Sequence, residues 1–211
     1  MPSLDLAIVD YGSGNLKSVS NAVKKIAGQN SVKVTNDPEL IRSANRIILP
    51  GVGAFGDCML GLKSQTGVLE SLHEAVHRRA VPFLGICVGM QLLVKEGHEH
   101  GVHHGLGWFD GETRFMQPVG EQFRIPHMGW NRIHEHVPHP VTQGLHNQDV
   151  YFVHSYAVFD IDQQHILAST DHGGLVTAAI ARDNIIGVQF HPEKSQSAGL
   201  HLLQNFLEWA P

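Results

Sequence analysis

An open, mostly parallel β-sheet flanked by helices, with some antiparallel extension, is the fold class predicted by three observations. The first half of the chain alternates short runs rich in Ile, Val and Leu with amphipathic stretches. The second half breaks into shorter runs punctuated by Gly, Pro, Asn and Asp, and a final amphipathic stretch closes the chain. Strands that read as continuous apolar runs are buried on both faces, so helices must cover both sides of their sheet.

Taken in order, residues 4–11 (LDLAIVDY) predict the first strand and residues 15–28 (NLKSVSNAVKKIAG) a helix. Residues 32–37 (VKVTND) give a short strand. A helix over 38–44 then starts with Asp37 as N-cap and Pro38 at its first position. Strand 46–51 (RIILPG), helix 67–79 (GVLESLHEAVHRR) and strand 81–87 (VPFLGIC) complete the alternating half. Beyond Gly105 the runs at 114–119, 130–135, 149–159, 175–184 and 185–193 suggest further strands, partly antiparallel. In the last helix, Leu200, Leu203, Phe206 and Leu207 recur at helical spacing, as a core-facing stripe does.

Composition bounds the function. With 211 residues, 42% hydrophobic and 17% charged, the chain has enough length for one sizeable core, and a single domain over 1–211 is expected. A formal charge of −5 without a Lys/Arg cluster argues against nucleic-acid or polybasic membrane binding. The longest nearly apolar run, Val81 to Val94, is too short for a bilayer and contains Gln91, and the first residues lack the pattern of a secretion signal. A cytoplasmic protein acting on small molecules is the expectation. Two cysteines cannot build a disulfide framework. Sixteen histidines cluster in HEHGVHHG (98–105) and HEHVPHP (134–140), but neither has a metal-binding frame, so solvated loops without metal are expected.

Three segments carry chemistry. Gly85-Ile86-Cys87-Val88-Gly89 follows a strand and precedes a helix, the thiol form of a nucleophile elbow, in which flanking glycines relieve crowding and the sulfur stands above the sheet edge. The N-terminus of that next helix favours thiolate, and its N–H groups, beginning with Val88, are placed to receive an oxyanion. A thiol nucleophile needs a base and a group to orient it. His191, just after a strand-like run, has Glu193 two positions on and Pro192 between, so in extended chain both side chains share one side. The third segment, ILPGVGAFGD (48–57), ends a strand in glycines that bring a second N–H, from the Gly51-Val52 peptide, to the same oxyanion.

Together these residues resemble the class I, or triad, glutamine amidotransferases, a family of flavodoxin-like fold. DYGSGNLKSV (10–19), PGVGAF (50–55), PHMGWN (126–131) and YFVHSYAV (151–158) further resemble one branch of it, the glutaminase subunits that serve imidazole glycerol phosphate synthases in histidine biosynthesis. The resemblance implies a Cys87-His191-Glu193 triad that hydrolyses glutamine to glutamate and ammonia, an oxyanion hole of Gly51, Val52 and Val88, and no cofactor. It implies that Gln91, Glu99, Ser155 and Tyr156 hold the glutamine with Gly53 nearby. It also implies a heterodimer with a cyclase barrel, Asn15, Tyr151 and Lys194 lying near the shared face and the ammonia passage. The alternatives are a glutaminase serving another synthase, a stand-alone γ-glutamyl hydrolase, and a silent assembly subunit, which would usually have lost a triad residue.

Overall fold

The computed structural model describes residues 5–27 and 32–211; Leu4 and Gly28, the outer residues of two expected runs, lie outside it. In chain order the alternating half is β1 (Leu6–Val9), α1 (Leu16–Ala27), β2 (Val32–Thr35), α2 (Pro38–Ser43), β3 (Ile47–Gly51), α3 (Phe55–Ser64), α4 (Val68–His73), β4 (Phe83–Cys87) and α5 (Val88–Gln91). The strand-rich half follows as β5 (Val94–Gly97), β6 (His103–His104), β7 (Phe109–Phe115), β8 (His127–Arg132), β9 (His134–Glu135), β10 (Asp149–His154), β11 (Tyr156–Phe159), β12 (Ile166–Asp171), β13 (Leu175–Arg182) and β14 (Ile185–Val188), closed by α6 (Gln196–Glu208).

The main sheet has the order β2-β1-β3-β4-β14-β13-β12-β9. Its first five members are parallel, and β13, β12 and β9 extend it with antiparallel pairings, as the change in sequence pattern anticipates. All residues of β1, β3, β4 and β14 are buried, which is what apolar runs between two helical layers require. Asp37 caps α2 through a 2.9 Å bond from the Glu39 N–H, with Pro38 next in line. On α6, Leu203 and Phe206 are buried and Leu200 and Leu207 half-buried, and Leu202 joins the buried set. Gly199 of that helix sits so close to the Pro192 carbonyl that a Cβ would come within 1.9 Å of it, which seats α6 directly on the His-Pro-Glu turn.

The structure departs from the expectations in several places: Pro192–Lys194 wind into a 3-10 turn instead of continuing the extended chain from His191, and the strand expected over 114–119 lies earlier, ending at Phe115. Residues 55–64 form a helix where only a glycine-rich loop was anticipated; Phe55, Cys58, Met59 and Leu62 carry the helical spacing, which Gly56 and Gly61 obscure. The helix after Cys87 is one turn long, because the Leu92 and Leu93 carbonyls accept from the N–H groups of Leu106, Trp108 and Phe109. The run 149–159 is two strands, not one: β10 pairs with β8, and after Ser155 the chain switches sheets to pair β11 with β7. The histidine clusters are not simply loops, since His103–His104 pair with β5 and His134–Glu135 with β12.

Candidate active site

The carboxyl ends of β1, β3, β4 and β14 converge, and the three chemical segments meet there because parallel pairing sets their register. Gly51 lies opposite Cys87, and Val188 opposite Ile86. Cys87 has φ +55°, a conformation that costs a non-glycine residue strain and is held by its surroundings. The surroundings leave no slack: a Cβ on Gly89 would stand 1.9 Å from the Leu49 carbonyl oxygen, and one on Gly85 2.6 Å from that of Gly89. Both glycines of the elbow are therefore required by close approach of backbone to backbone.

Cys87 is buried at the foot of a cavity of about 440 Å3. Val52, Gly53, Val88, Gln91, Glu99, Ser155, Tyr156, His191 and Lys194 line it, together with Ala54, Val153 and His154. Behind the wall, Glu193 Oε1 is 2.8 Å from His191 Nδ1, with both side chains almost wholly buried. His191 Nε2 makes no hydrogen bond among the described residues, so it is free to serve the sulfur beside it. Burial opposes charge on this ring, but the adjoining Cys87 sulfur and the Glu193 carboxylate outweigh it and raise the imidazole to about 9. The turn is held by the His191 N–H on the Tyr151 carbonyl at 2.9 Å, the Ser195 hydroxyl on the His191 carbonyl at 2.7 Å, and the Tyr151 N–H on Ser195 Oγ at 2.9 Å.

The Gly51-Val52 segment is placed beside the elbow but faces elsewhere. The Val52 N–H points at Ser13 Oγ at 3.4 Å, and the same hydroxyl donates to the Val52 carbonyl. Cys58 Sγ reaches that carbonyl at 3.5 Å and Ser13 Oγ at 3.3 Å. Cys58 thus forms part of the support behind the loop. Ser13 was missed because a serine in a Gly-Ser-Gly turn reads as turn chemistry.

Glu99 lines the cavity while its Oε2 accepts from the Phe55 N–H at 2.9 Å, where α3 begins. Gln91 spends both amide hydrogens inward, on the Tyr156 carbonyl at 2.9 Å and on Gln189 Oε1 at 3.0 Å, which leaves its oxygen as the end available to a ligand. Asn15 lies at the start of α1 and Tyr151 on β10, neither in the cavity wall; Lys194 lies 5.6 Å from the centre of the Tyr151 ring, whose edge meets Trp130 at 6.0 Å. One group among the described residues has metal-ligand proximity, Glu96, His98 and Glu112, with ligand atoms within 4.8 Å of one another. It shares no residue with the cavity, and Glu112 is already bonded to His98 and paired with Arg114.

A buried thiol on a strained elbow beside a carboxylate-oriented imidazole is equipped for nucleophilic attack on an acyl group. Comparison with known proteins agrees with that chemistry. Residues 7–209 match the family model described as Glutamine amidotransferase class-I. The chain is 50% identical to a Zymomonas mobilis protein named imidazole glycerol phosphate synthase subunit HisH, over 99% of this chain and 98% of that one. A Caulobacter vibrioides protein of the same name is 49% identical over 98% and 99%. Among solved structures, PurLQS from Thermotoga maritima superposes with a TM-score of 0.72 at 18% identity, covering 98% of both chains. A second, described as a glutamine amidotransferase, superposes with a TM-score of 0.73 at 17% identity, covering 96% of this chain and 97% of that one.

Proposed function

The chain belongs to the class-I glutamine amidotransferases, and from that premise we propose that it is the glutaminase subunit of an imidazole glycerol phosphate synthase. It hydrolyses L-glutamine and passes the ammonia to a cyclase partner that makes imidazole glycerol phosphate and aminoimidazole carboxamide ribotide. The observation that carries the reading is Cys87, held at φ +55° beside a His191 whose far nitrogen is bonded at 2.8 Å to Glu193.

Cys87 Sγ attacks the side-chain amide carbon of glutamine, and the thiol proton resides on His191 Nε2. The tetrahedral oxyanion that forms is met by the Val88 N–H and, once its peptide turns from Ser13, by the Val52 N–H. His191 gives its proton to the departing nitrogen, ammonia leaves, and a cysteinyl thioester remains. Water then attacks with His191 taking its proton, and collapse returns the proton to sulfur and releases glutamate. Glu193 keeps Nε2 on the reacting side throughout. The Gln91 oxygen and the second Glu99 oxygen are the polar ends that meet glutamine, alongside Gly53, Ser155 and Tyr156.

Asn15, Tyr151 and Lys194 belong to the face that meets the cyclase in a cytoplasmic heterodimer, with the half-exposed Trp130 beside Tyr151. No described helix is long and apolar enough to cross a membrane. Relatives named as a subunit of imidazole glycerol phosphate synthase, matched over 98–99% of their length, support the partner.

The deciding experiment reconstitutes the complex and supplies either glutamine or ammonium salts. Cys87→Ala is expected to abolish glutamine-dependent synthesis and leave ammonium-dependent synthesis intact. Substantial glutamine turnover by that variant would remove Cys87 as the nucleophile, and full turnover without any cyclase would favour a stand-alone hydrolase.

A further inference from the structure

Gln189 is fully buried, and its register brings it to the nucleophile: with Val188 opposite Ile86, the next residue stands level with Cys87. Its Nε2 lies 3.7 Å from Cys87 Sγ, and its Oε1 lies 3.0 Å from Gln91 Nε2. One group decides which end of each amide is which. The Tyr156 carbonyl only accepts, so the Gln91 atom 2.9 Å from it is the NH2 group. That group's second hydrogen meets Gln189, which therefore presents its oxygen there and turns its own NH2 to the sulfur.

The same carbonyl polarises a second branch. It takes the Nδ1–H of His154 at 2.8 Å, which leaves His154 Nε2 to accept from His127 Nδ1–H at 3.0 Å. His127 Nε2 then accepts from the Asn131 amide at 3.1 Å. Burial above all keeps both rings neutral, with His154 lowered to about 4 and His127 to about 3. The network runs from β8 to the nucleophile with the donor settled at every link: His154 and Gln91 both donate to the Tyr156 carbonyl, and Gln91 also donates to Gln189, which donates to the sulfur.

We propose that Gln189 is a catalytic residue, donating to the Cys87 sulfur a hydrogen bond that strengthens as the sulfur becomes thiolate and that the Gln91–Tyr156 carbonyl contacts hold in place. This rests on the reading of Cys87 as the nucleophile. A neutral sulfur accepts weakly, whereas a charged acceptor roughly doubles the strength of a hydrogen bond. Thiolate is both the attacking species and the group expelled when the thioester is hydrolysed, so one fixed donor serves both halves of the reaction. A donor that raises the thiolate fraction tenfold lowers the intrinsic nucleophilicity only about threefold, leaving a net gain.

The test uses the full chain and the variants Gln189→Glu, which keeps the acceptor for Gln91 but removes the donor, and Gln189→Met, which removes both without adding charge. Alkylation of Cys87 by iodoacetamide is followed by mass spectrometry from pH 6 to 9, with thermal melting to establish that each variant is folded. Both variants are expected to alkylate about threefold more slowly at neutral pH, a roughly tenfold loss of thiolate, the low end of the worth of a hydrogen bond to a charged group, partly offset by higher nucleophilicity, with the rate profile displaced to higher pH. In the cyclase complex, kcat falls about tenfold while KM for glutamine stays within about threefold. Wild-type alkylation profiles in whichever variant is folded would overturn the proposal, as would a raised KM with unchanged kcat. Cys87→Ala, assayed alongside, separates this from failure of the nucleophile itself: if that variant still turns over glutamine, the triad reading falls first.

Discussion

In the proposed mechanism His191 is both acid and base, and its environment sets which form waits in the free site. Raised to about 9, the ring is held as imidazolium at neutral pH, the form that gives a proton to departing ammonia. His191→Asn is expected to lower glutamine turnover about as far as Cys87→Ala. Glu193→Gln should fall short of that by roughly 100-fold, the margin separating acting from orienting members of such triads. Steady-state assays in the complex check both, and mild loss at His191 would break the triad. Ser13 poses the opposite case, since its hydroxyl accepts the N–H and donates to the carbonyl of Val52. Ser13→Ala should therefore release that peptide and raise the basal turnover of the isolated chain. The gain should fall short of the roughly 100-fold that one oxyanion donor is worth. Unchanged or lower basal turnover would show that Ser13 does not restrain it.

Among the elements, β3, β4 and α5 form the frame on which Cys87 stands, and their spacing tolerates no side chain at Gly89. A methyl group placed 1.9 Å from the Leu49 oxygen must push the elbow off β3. Gly89→Ala is expected to cost at least about 3 kcal/mol, in the range of severe overpacking. For a chain of this size that lowers Tm by roughly 6–12 °C, measurable by thermal unfolding. A variant that melts like the parent would mean that α5 can shift without loss. The β10–β11 junction is equally particular: by changing sheets at Ser155 the chain puts Ser155 and Tyr156 into the cavity wall, while Tyr151 on β10 stays out of it and holds the His191 N–H with its carbonyl.

For the whole molecule, the buried histidines give stability a signed dependence on pH. His127 and His154 are depressed below the 6.5 of an unfolded chain, so the unfolded state binds more protons between about 6.5 and 4. Their contribution is whole above pH 6.5 and is lost as pH falls through about 4 and then about 3. His191 is raised, so its contribution is whole below pH 6.5 and is lost as pH rises through about 9. Tm measured from pH 4 to 10 should fall at both ends, and His191→Asn should flatten the alkaline limb alone. An alkaline limb unchanged in that variant would contradict the charge state assigned to His191.

Much of this was legible in the sequence. Apolar runs of Ile, Val and Leu dictate a covered parallel sheet, Gly-x-Cys-x-Gly after a strand dictates a tight turn at its carboxyl edge, and His-Pro-Glu dictates a side-by-side acid and imidazole. These are local properties, decided by neighbours a few residues away. The sheet switch at Ser155, the Ser13 contact with Val52 and the position of Gln189 against Cys87 depend on partners 39 to 102 residues distant or on a carbonyl captured by another segment, as that of Ser155 is by the Met116 N–H. Only the packed chain decides those, because an amide or a peptide plane takes its orientation from whichever acceptor the fold brings to it.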